Sequence, residues 1–178
     1  MYNLFKFIED KRPEYKVPFK AKLIHEPESI TEEDLDVKGN LNLSNTSIRS
    51  LPDGLKVGGG LDLSNTPIQS LPDDLKVGGG LYLSNTLIRS LPDGLKVEGN
   101  LNLNNTPIRS LPDNLKVEGS LYLDNTPIKD LPKGLEVGGN LNLSNTPLSK
   151  KLIKKGYTQN KQEELKEMFP GVKGNIYL

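Results

Sequence analysis

Cysteine is absent from the 178-residue chain. That excludes disulfides, iron–sulfur clusters, cysteine-ligated zinc and every cysteine nucleophile together. Histidine occurs once, as His25, beside Glu26 and with no partner that the sequence marks. Alanine also occurs once, as Ala21, against 17 glycines and 13 prolines. Such a composition makes long helices scarce. A net charge is missing too: Lys plus Arg and Asp plus Glu both number 23. Bulk attraction to nucleic acid or to an anionic membrane needs a basic excess, which this balance does not supply. No apolar run approaches the roughly 20 residues of a membrane span. The first ten residues are broken by Lys6, Glu9 and Asp10 before a signal-peptide core forms. These features predict a cytoplasmic protein without membrane contact.

What the chain does have is self-similarity, with a period of 20 residues over residues 37–147. Full copies start at Val37, Val57, Val77, Val97 and Val117, and a partial sixth starts at Val137. Residues 172–178 repeat the opening of the unit once more. The spacing from Val137 to Val172 is 35, so 15 residues are inserted there. The organisation that follows is an N-terminal cap (1–36), the repeat array (37–147), a helical insert (148–171) and a final repeat strand (172–178).

Each copy opens on period-2 alternation. In the second, Val57, Gly59, Leu61 and Leu63 alternate with Gly58, Gly60 and Asp62, as in one half-buried strand. Ser64-Asn65-Thr66-Pro67 then turns the chain. Ile68, Leu71 and Leu75 complete the apolar set, and Pro72 makes the intervening piece a bend or a short 3₁₀ turn. One coil cannot bury its own leucines, whereas stacked coils can.

The unit Leu61-Asp-Leu63-Ser-Asn-Thr66-Pro-Ile68-Gln-Ser-Leu71-Pro72 resembles the short bacterial kind of leucine-rich repeat. Similar arrays occur in bacterial and bacteriophage proteins. The resemblance covers about 110 residues and the final strand. It implies a mainly-β solenoid of stacked parallel strands with helical caps, and a cytoplasm that is a bacterial host's if the chain is phage-borne. The family's buried asparagine falls here on Thr46, Thr66, Thr86, Thr106, Thr126 and Thr146, with asparagine one place earlier each time. That departure keeps a β-helix-like stack open as the alternative fold.

At the ends, Leu4, Phe5, Phe7 and Ile8 suit one face of a short helix. Ser29 to Asp34 offers a helix start with acids in its first turn. Leu148, Leu152, Ile153, Leu165, Met168 and Phe169 have helical spacing in two pieces, and Asn160 with Glu163 resembles a capping box. The final strand has no cap after it in the sequence. Its edge is open to pairing with another copy unless the preceding helices fold over it.

No catalytic residue, cofactor or metal site is marked. Gly58-Gly59-Gly60 lacks the Lys-Ser/Thr and the helix of a phosphate loop. Glycine at 39, 59, 79, 99, 119, 139 and 174 points instead to close backbone packing. The Asp53, Asp73, Asp93, Asp113 column lacks the glycine–aspartate pattern of a calcium roll.

Constant positions build the stack, so function is sought in the variable outward ones. One outward column reads Asn42, Asp62, Tyr82, Asn102, Tyr122, Asn142 and Tyr177, and its neighbour contains Asn100. Tyrosine and asparagine make adaptable binding surfaces. The candidate face is therefore Asp62, Tyr82, Asn100, Asn102, Tyr122, Asn142 and Tyr177, presented to a protein partner without enzymatic activity. Tyr82 and Tyr122 would stand about 9.6 Å apart, two rungs. The alternative is an architectural, self-assembling protein that pairs through residues 172–178. A third reading is nucleic-acid contact through a basic stripe, Arg49, Arg89, Arg109 and Lys129, with Gln69 between. The Asp53 column, four residues on, would neutralise that stripe.

Overall fold

The computed structural model describes residues 3–178. The chain is a parallel β-solenoid. Each coil contributes two strands of two residues to two separate parallel sheets, one of six strands and one of seven. The first sheet runs through Asp36–Val37, Lys56–Val57, Lys76–Val77, Lys96–Val97, Lys116–Val117 and Glu136–Val137. The second runs through Leu41–Asn42, Leu61–Asp62, Leu81–Tyr82, Leu101–Asn102, Leu121–Tyr122, Leu141–Asn142 and Ile176–Tyr177. Register is one coil per rung, with Leu61 opposite Leu81 and Tyr82 opposite Asn102. The two-sheet coil is the β-helix-like arrangement, and it corrects the single continuous strand expected from Val57 to Leu63.

The break has a backbone cause. The N–H groups of an extended strand alternate in direction, yet Gly58 and Gly59 both donate to the preceding coil, to the carbonyls of Val37 (2.7 Å) and Gly39 (3.0 Å). Two successive donors on one side end the pleat and turn a corner. The corner is tight. A Cβ at Gly79 would lie 2.8 Å from the Gly59 carbonyl carbon, and one at Gly99 would lie 2.6 Å from the Gly80 nitrogen. Gly39, in the first coil, has no coil before it, and a Cβ there would meet nothing within 4 Å. The glycine column is therefore a requirement of stacking and not of conformation.

The second corner belongs to asparagine. Asn45, Asn65, Asn85, Asn105, Asn125 and Asn145 all adopt the left-handed region, at φ 57–61°, which asparagine tolerates better than most side chains. Their amides also bond from coil to coil: Asn65 Nδ2 donates to Asn45 Oδ1 (3.0 Å) and Asn85 Nδ2 to Asn65 Oδ1 (2.8 Å). The threonine that follows faces inward. Thr66 is buried, and its hydroxyl donates to the Leu63 carbonyl (2.7 Å). This explains the one-place offset from the leucine-rich-repeat pattern, because the turn takes asparagine for its backbone and threonine for its buried hydroxyl.

Between the sheets lies one apolar column. Val57, Leu61, Leu63, Ile68, Leu71 and Leu75 are buried in the second coil, and the same positions recur along the stack. Each such side chain contributes about 1.5–3 kcal/mol by leaving water.

At the N-terminus, α1 (Leu4–Lys11) and α2 (Phe19–His25) form the cap. Ser29 to Asp34 does not start a helix. It forms a 3₁₀ turn at Pro27–Ser29 followed by hydrogen-bonded turns. The Asp34 carboxylate instead accepts the Thr31 N–H (2.9 Å) and the Lys22 ammonium (2.9 Å). Lys22 is only 2% exposed, and its second partner is Glu9 (3.0 Å) on α1. A buried three-charge cluster therefore ties both cap helices to the segment that enters the first strand.

At the other end, α3 (Pro147–Lys154) grows directly out of the sixth coil. Thr146 donates to the Leu143 carbonyl as its equivalents do, and also caps the helix by accepting the Ser149 N–H (3.0 Å). The helix α4 (Gln162–Met168) begins one residue later than the Asn160–Glu163 capping box predicts, with Lys161 at its N-cap and no side-chain cap bond. Gln162 serves elsewhere. Its side chain accepts the Ile176 N–H (2.8 Å) and donates to the Ile176 carbonyl (2.8 Å), and Gln159 donates to the same carbonyl (3.1 Å). One glutamine thus imitates a peptide group of a further rung. The last strand is capped after all, by side chains that carry no recognisable capping spacing.

Candidate functional site

The second sheet places Asn42, Asp62, Tyr82, Asn102, Tyr122, Asn142 and Tyr177 in one column. The seven-residue tail joins this column through the pairing of Asn142 with Tyr177. Tyrosines therefore stand on every second rung, separated by Asn102 and Asn142. Tyr82 and Tyr177 are 37% and 36% exposed, and Tyr122 is half-buried. The phenol end of Tyr82 covers Gly80: its hydroxyl, Cζ and Cε2 fall 2.7–3.0 Å from where a Gly80 Cβ would be. A side chain held against backbone loses little freedom on contact.

The polar members of the predicted site have other work. Oδ1 of Asp62, Asn102 and Asn142 accepts the backbone N–H two residues on, at Ser64 (2.9 Å), Asn104 (3.0 Å) and Ser144 (3.0 Å). These are Asx turns that end each strand. Asn100 Oδ1 accepts the Ser120 N–H of the next coil (2.8 Å), as Asn40 does for Gly60 (2.7 Å) and Asn140 for Asn175 (2.8 Å). Asn100 is thus a rung bond between coils. Of the predicted face, the tyrosines are the members whose placement no internal hydrogen bond explains.

The face is almost free of charge. Across its three outward columns, at the positions equivalent to 60, 62 and 64, the only charged residues are Asp62 and Asp124. Asp124 stands where other coils have serine or asparagine. Burial pushes its carboxyl above the usual range, against weaker opposing hydrogen bonds from its own backbone, Asn104 and Asn142, and its Oδ2 is buried without a partner. An acid whose folded pKa is raised costs stability once pH exceeds its unfolded value near 4. Asp124→Ser is expected to raise stability at pH 7 by about 1 kcal/mol, with the difference shrinking as pH falls and Asp124 takes up its proton. Urea denaturation of both forms at pH 7 and at pH 3 tests this, and an unchanged or lower midpoint at pH 7 refutes it.

The basic stripe lies elsewhere. Arg49, Gln69, Arg89, Arg109 and Lys129 are all exposed, in the extended stretch after the asparagine turn. Among the described residues no direct ion pair joins this stripe to the Asp53 column. Four residues separate the two columns, with the buried Leu51 between them. A further column escaped the sequence reading. Lys56, Lys76, Lys96 and Lys116 line the outer face of the first sheet, and among the described residues only Lys116 of these is in an ion pair, with Glu136 (3.0 Å). Its signal was the lysine before each repeat's valine.

His25 is exposed at the end of α2. Among the described residues no group of three or more His, Cys, Asp or Glu is placed to hold a metal ion, and no helix is long and apolar enough to cross a membrane. No protein-family model matches the chain, and no curated protein matches it in sequence.

Proposed function

We propose that the chain is a non-enzymatic binding module that presents the outer face of its second sheet to a partner protein. The observation that carries this is the column of Tyr82, Tyr122 and Tyr177, one on every second rung, on a face nearly free of charge in a chain that is 26% charged. An uncharged face rich in Tyr and Asn can be desolvated without stranding ions, which is what the centre of a protein interface requires. Rigid coils fix the rings beforehand, so little ordering entropy is lost on contact. The glutamine-capped terminal strand favours this reading over self-assembly through residues 172–178, since an eighth rung must first displace Gln162 from Ile176.

The test is capture from a nuclease-treated lysate, comparing wild type with Tyr82→Ala/Tyr122→Ala. A charge-reversed Arg89→Glu/Arg109→Glu form serves as a control on another side of the coil. A protein retained by wild type and by the control, lost in the tyrosine variant and rebound in purified form supports the reading. A protein retained equally by the tyrosine variant refutes the tyrosine face.

A further inference from the structure

The side of the coil after the asparagine turn carries two parallel ridges. Positions equivalent to 67 and 69 both point outward, with the buried Ile68 between them. The first ridge opens on Ser47 and is apolar from there on: Pro67, Leu87, Pro107, Pro127 and Pro147. Leu87, the one apolar member that is not proline, is 48% exposed, and its N–H donates to the Ile68 carbonyl of the coil before it (3.0 Å). The second ridge is basic: Arg49, Gln69, Arg89, Arg109 and Lys129, all exposed and none in an ion pair among the described residues. Extended backbone puts the two ridges about 6.6 Å apart.

The basic ridge ends at Lys129, since the equivalent position in the sixth coil is the buried Ser149, and the helix α3 follows from Pro147. It is seated on the fifth coil by the bond from Leu148 N–H to the Ile128 carbonyl (3.1 Å) and by the Lys151–Asp130 pair (3.3 Å). Its outer face bears Lys150, Lys154 and Ile153, the last 52% exposed. Arginines fixed a rung or two apart repel one another, and among the described residues no acid is in an ion pair with them. Neither fold nor packing uses these charges, so the compensating anions are sought outside the molecule.

We propose that this side is a docking groove for an acidic amphipathic α-helix of a partner protein, laid along the solenoid axis. Three features select that occupant. The charge is basic and arginine-centred, which suits carboxylates held in pairs of hydrogen bonds. An apolar ridge runs beside it from the second coil onward and would be idle against a phosphate backbone, and the ridges hold no aromatic ring on which a nucleic-acid base could stack. The spacing also fits. Rungs repeat at about 4.8 Å and helix turns at about 5.4 Å, so acids one turn apart track the basic ridge from Arg49 to Lys129, four rungs, with a mismatch of about 2–3 Å that long side chains absorb. The apolar stripe of the same helix then falls on Leu87 and the prolines. This groove is independent of the tyrosine face.

The probe is a synthetic peptide of about 18 residues with glutamate at each turn beside a leucine stripe, titrated by fluorescence anisotropy. Wild type is expected to bind it, with a gain of helical circular dichroism. Arg89→Glu/Arg109→Glu is expected to weaken binding at least tenfold, Leu87→Glu several-fold, and Tyr82→Ala/Tyr122→Ala not at all. Equal binding by the charge-reversed form overturns the proposal, and so does equal binding of the same peptide with a central proline that forbids the helix. Tighter binding of a short DNA duplex than of the peptide, lost in the same variant, overturns it in favour of a phosphate-binding surface. All variants are checked for an unchanged melting temperature, so a loss of binding cannot be a loss of fold.

Discussion

Gly99→Ala is expected to destabilise the protein by about 3 kcal/mol or more, whereas Gly39→Ala leaves it unharmed. Both residues occupy the same repeat position, and neither has a left-handed φ that demands glycine. They differ only in what lies beneath. The new methyl at 99 would sit 2.6 Å from the Gly80 nitrogen and 2.9 Å from the Gly79 carbonyl carbon. These are backbone atoms of the preceding coil, held by ladders in two sheets, so no side chain can swing aside to relieve the clash. The coils must part at that corner, and parting them weakens the Leu81–Asn100 and Gly99–Gly79 backbone bonds on either side. At 39 the methyl meets nothing within 4 Å, and replacing glycine where the backbone permits stiffens the unfolded chain, a gain of about 0.4–1 kcal/mol. Thermal unfolding of the two variants decides the matter. A fall of about 6–12 °C is expected for Gly99→Ala, and equal melting of the two would mean that the coils do not stack as described.

Lys22→Ala is the second substitution with a large expected effect, about 3–5 kcal/mol. It leaves Glu9 and Asp34, each 18% exposed, facing one another without their cation. Burial opposes ionisation of both acids. In Glu9 the Lys22 ammonium and the Val17 N–H outweigh it, and in Asp34 the Thr31 N–H, Lys22 and the Thr31 hydroxyl do so. Both carboxyls therefore lie below the usual range. Burial likewise opposes the charge on Lys22, and hydrogen bonds to Asp34 and Glu9 raise its pKa above the ordinary value. A depressed acid stabilises the fold above its unfolded pKa near 4 and ceases to as pH falls through the folded value. A raised lysine stabilises below its unfolded pKa near 10.4 and ceases to as pH rises past it. The cap should thus be most stable between those limits, with both limbs altered in the Lys22 variant. Replacing all three charges, as Lys22→Met with Glu9→Gln and Asp34→Asn, is expected to recover most of the loss, because no charge is then left unpaired. Hydrogen exchange of residues 3–36 against pH measures this, and a Lys22→Ala cap as protected as wild type at pH 7 would refute it.

The stack was readable from the sequence because its cause is periodic. Val57, Leu61, Leu63, Ile68, Leu71 and Leu75 recur every 20 residues, and a coil that cannot bury its own leucines must stack. The glycine column was readable as close packing for the same reason. The corner was not, because Gly59 continues the apolar alternation in the sequence while its N–H turns to the wrong side for a strand. The Ser29–Asp34 helix failed because Asp34 is taken by Lys22, twelve residues earlier, a pairing no local rule contains. The candidate face was half readable. Sequence register placed its residues in one column, but could not separate the tyrosines from Asp62, Asn102 and Asn142, whose side chains close turns, or from Asn100, which bonds the next coil.

The sequence by itself determined that the chain is a solenoid of 20-residue coils, which residues face inward, and which share a column. These follow from period and hydrophobicity, which are local in the chain. The tertiary structure alone decided that each coil bends into two sheets, that Gln159 and Gln162 close the final edge, that among the described residues no ion pair joins the arginine stripe to an acid, and that α3 sits on the fifth coil. Each of these depends on atoms brought together from distant coils, where hydrogen-bond direction and the few ångströms between side chains settle what the sequence leaves open.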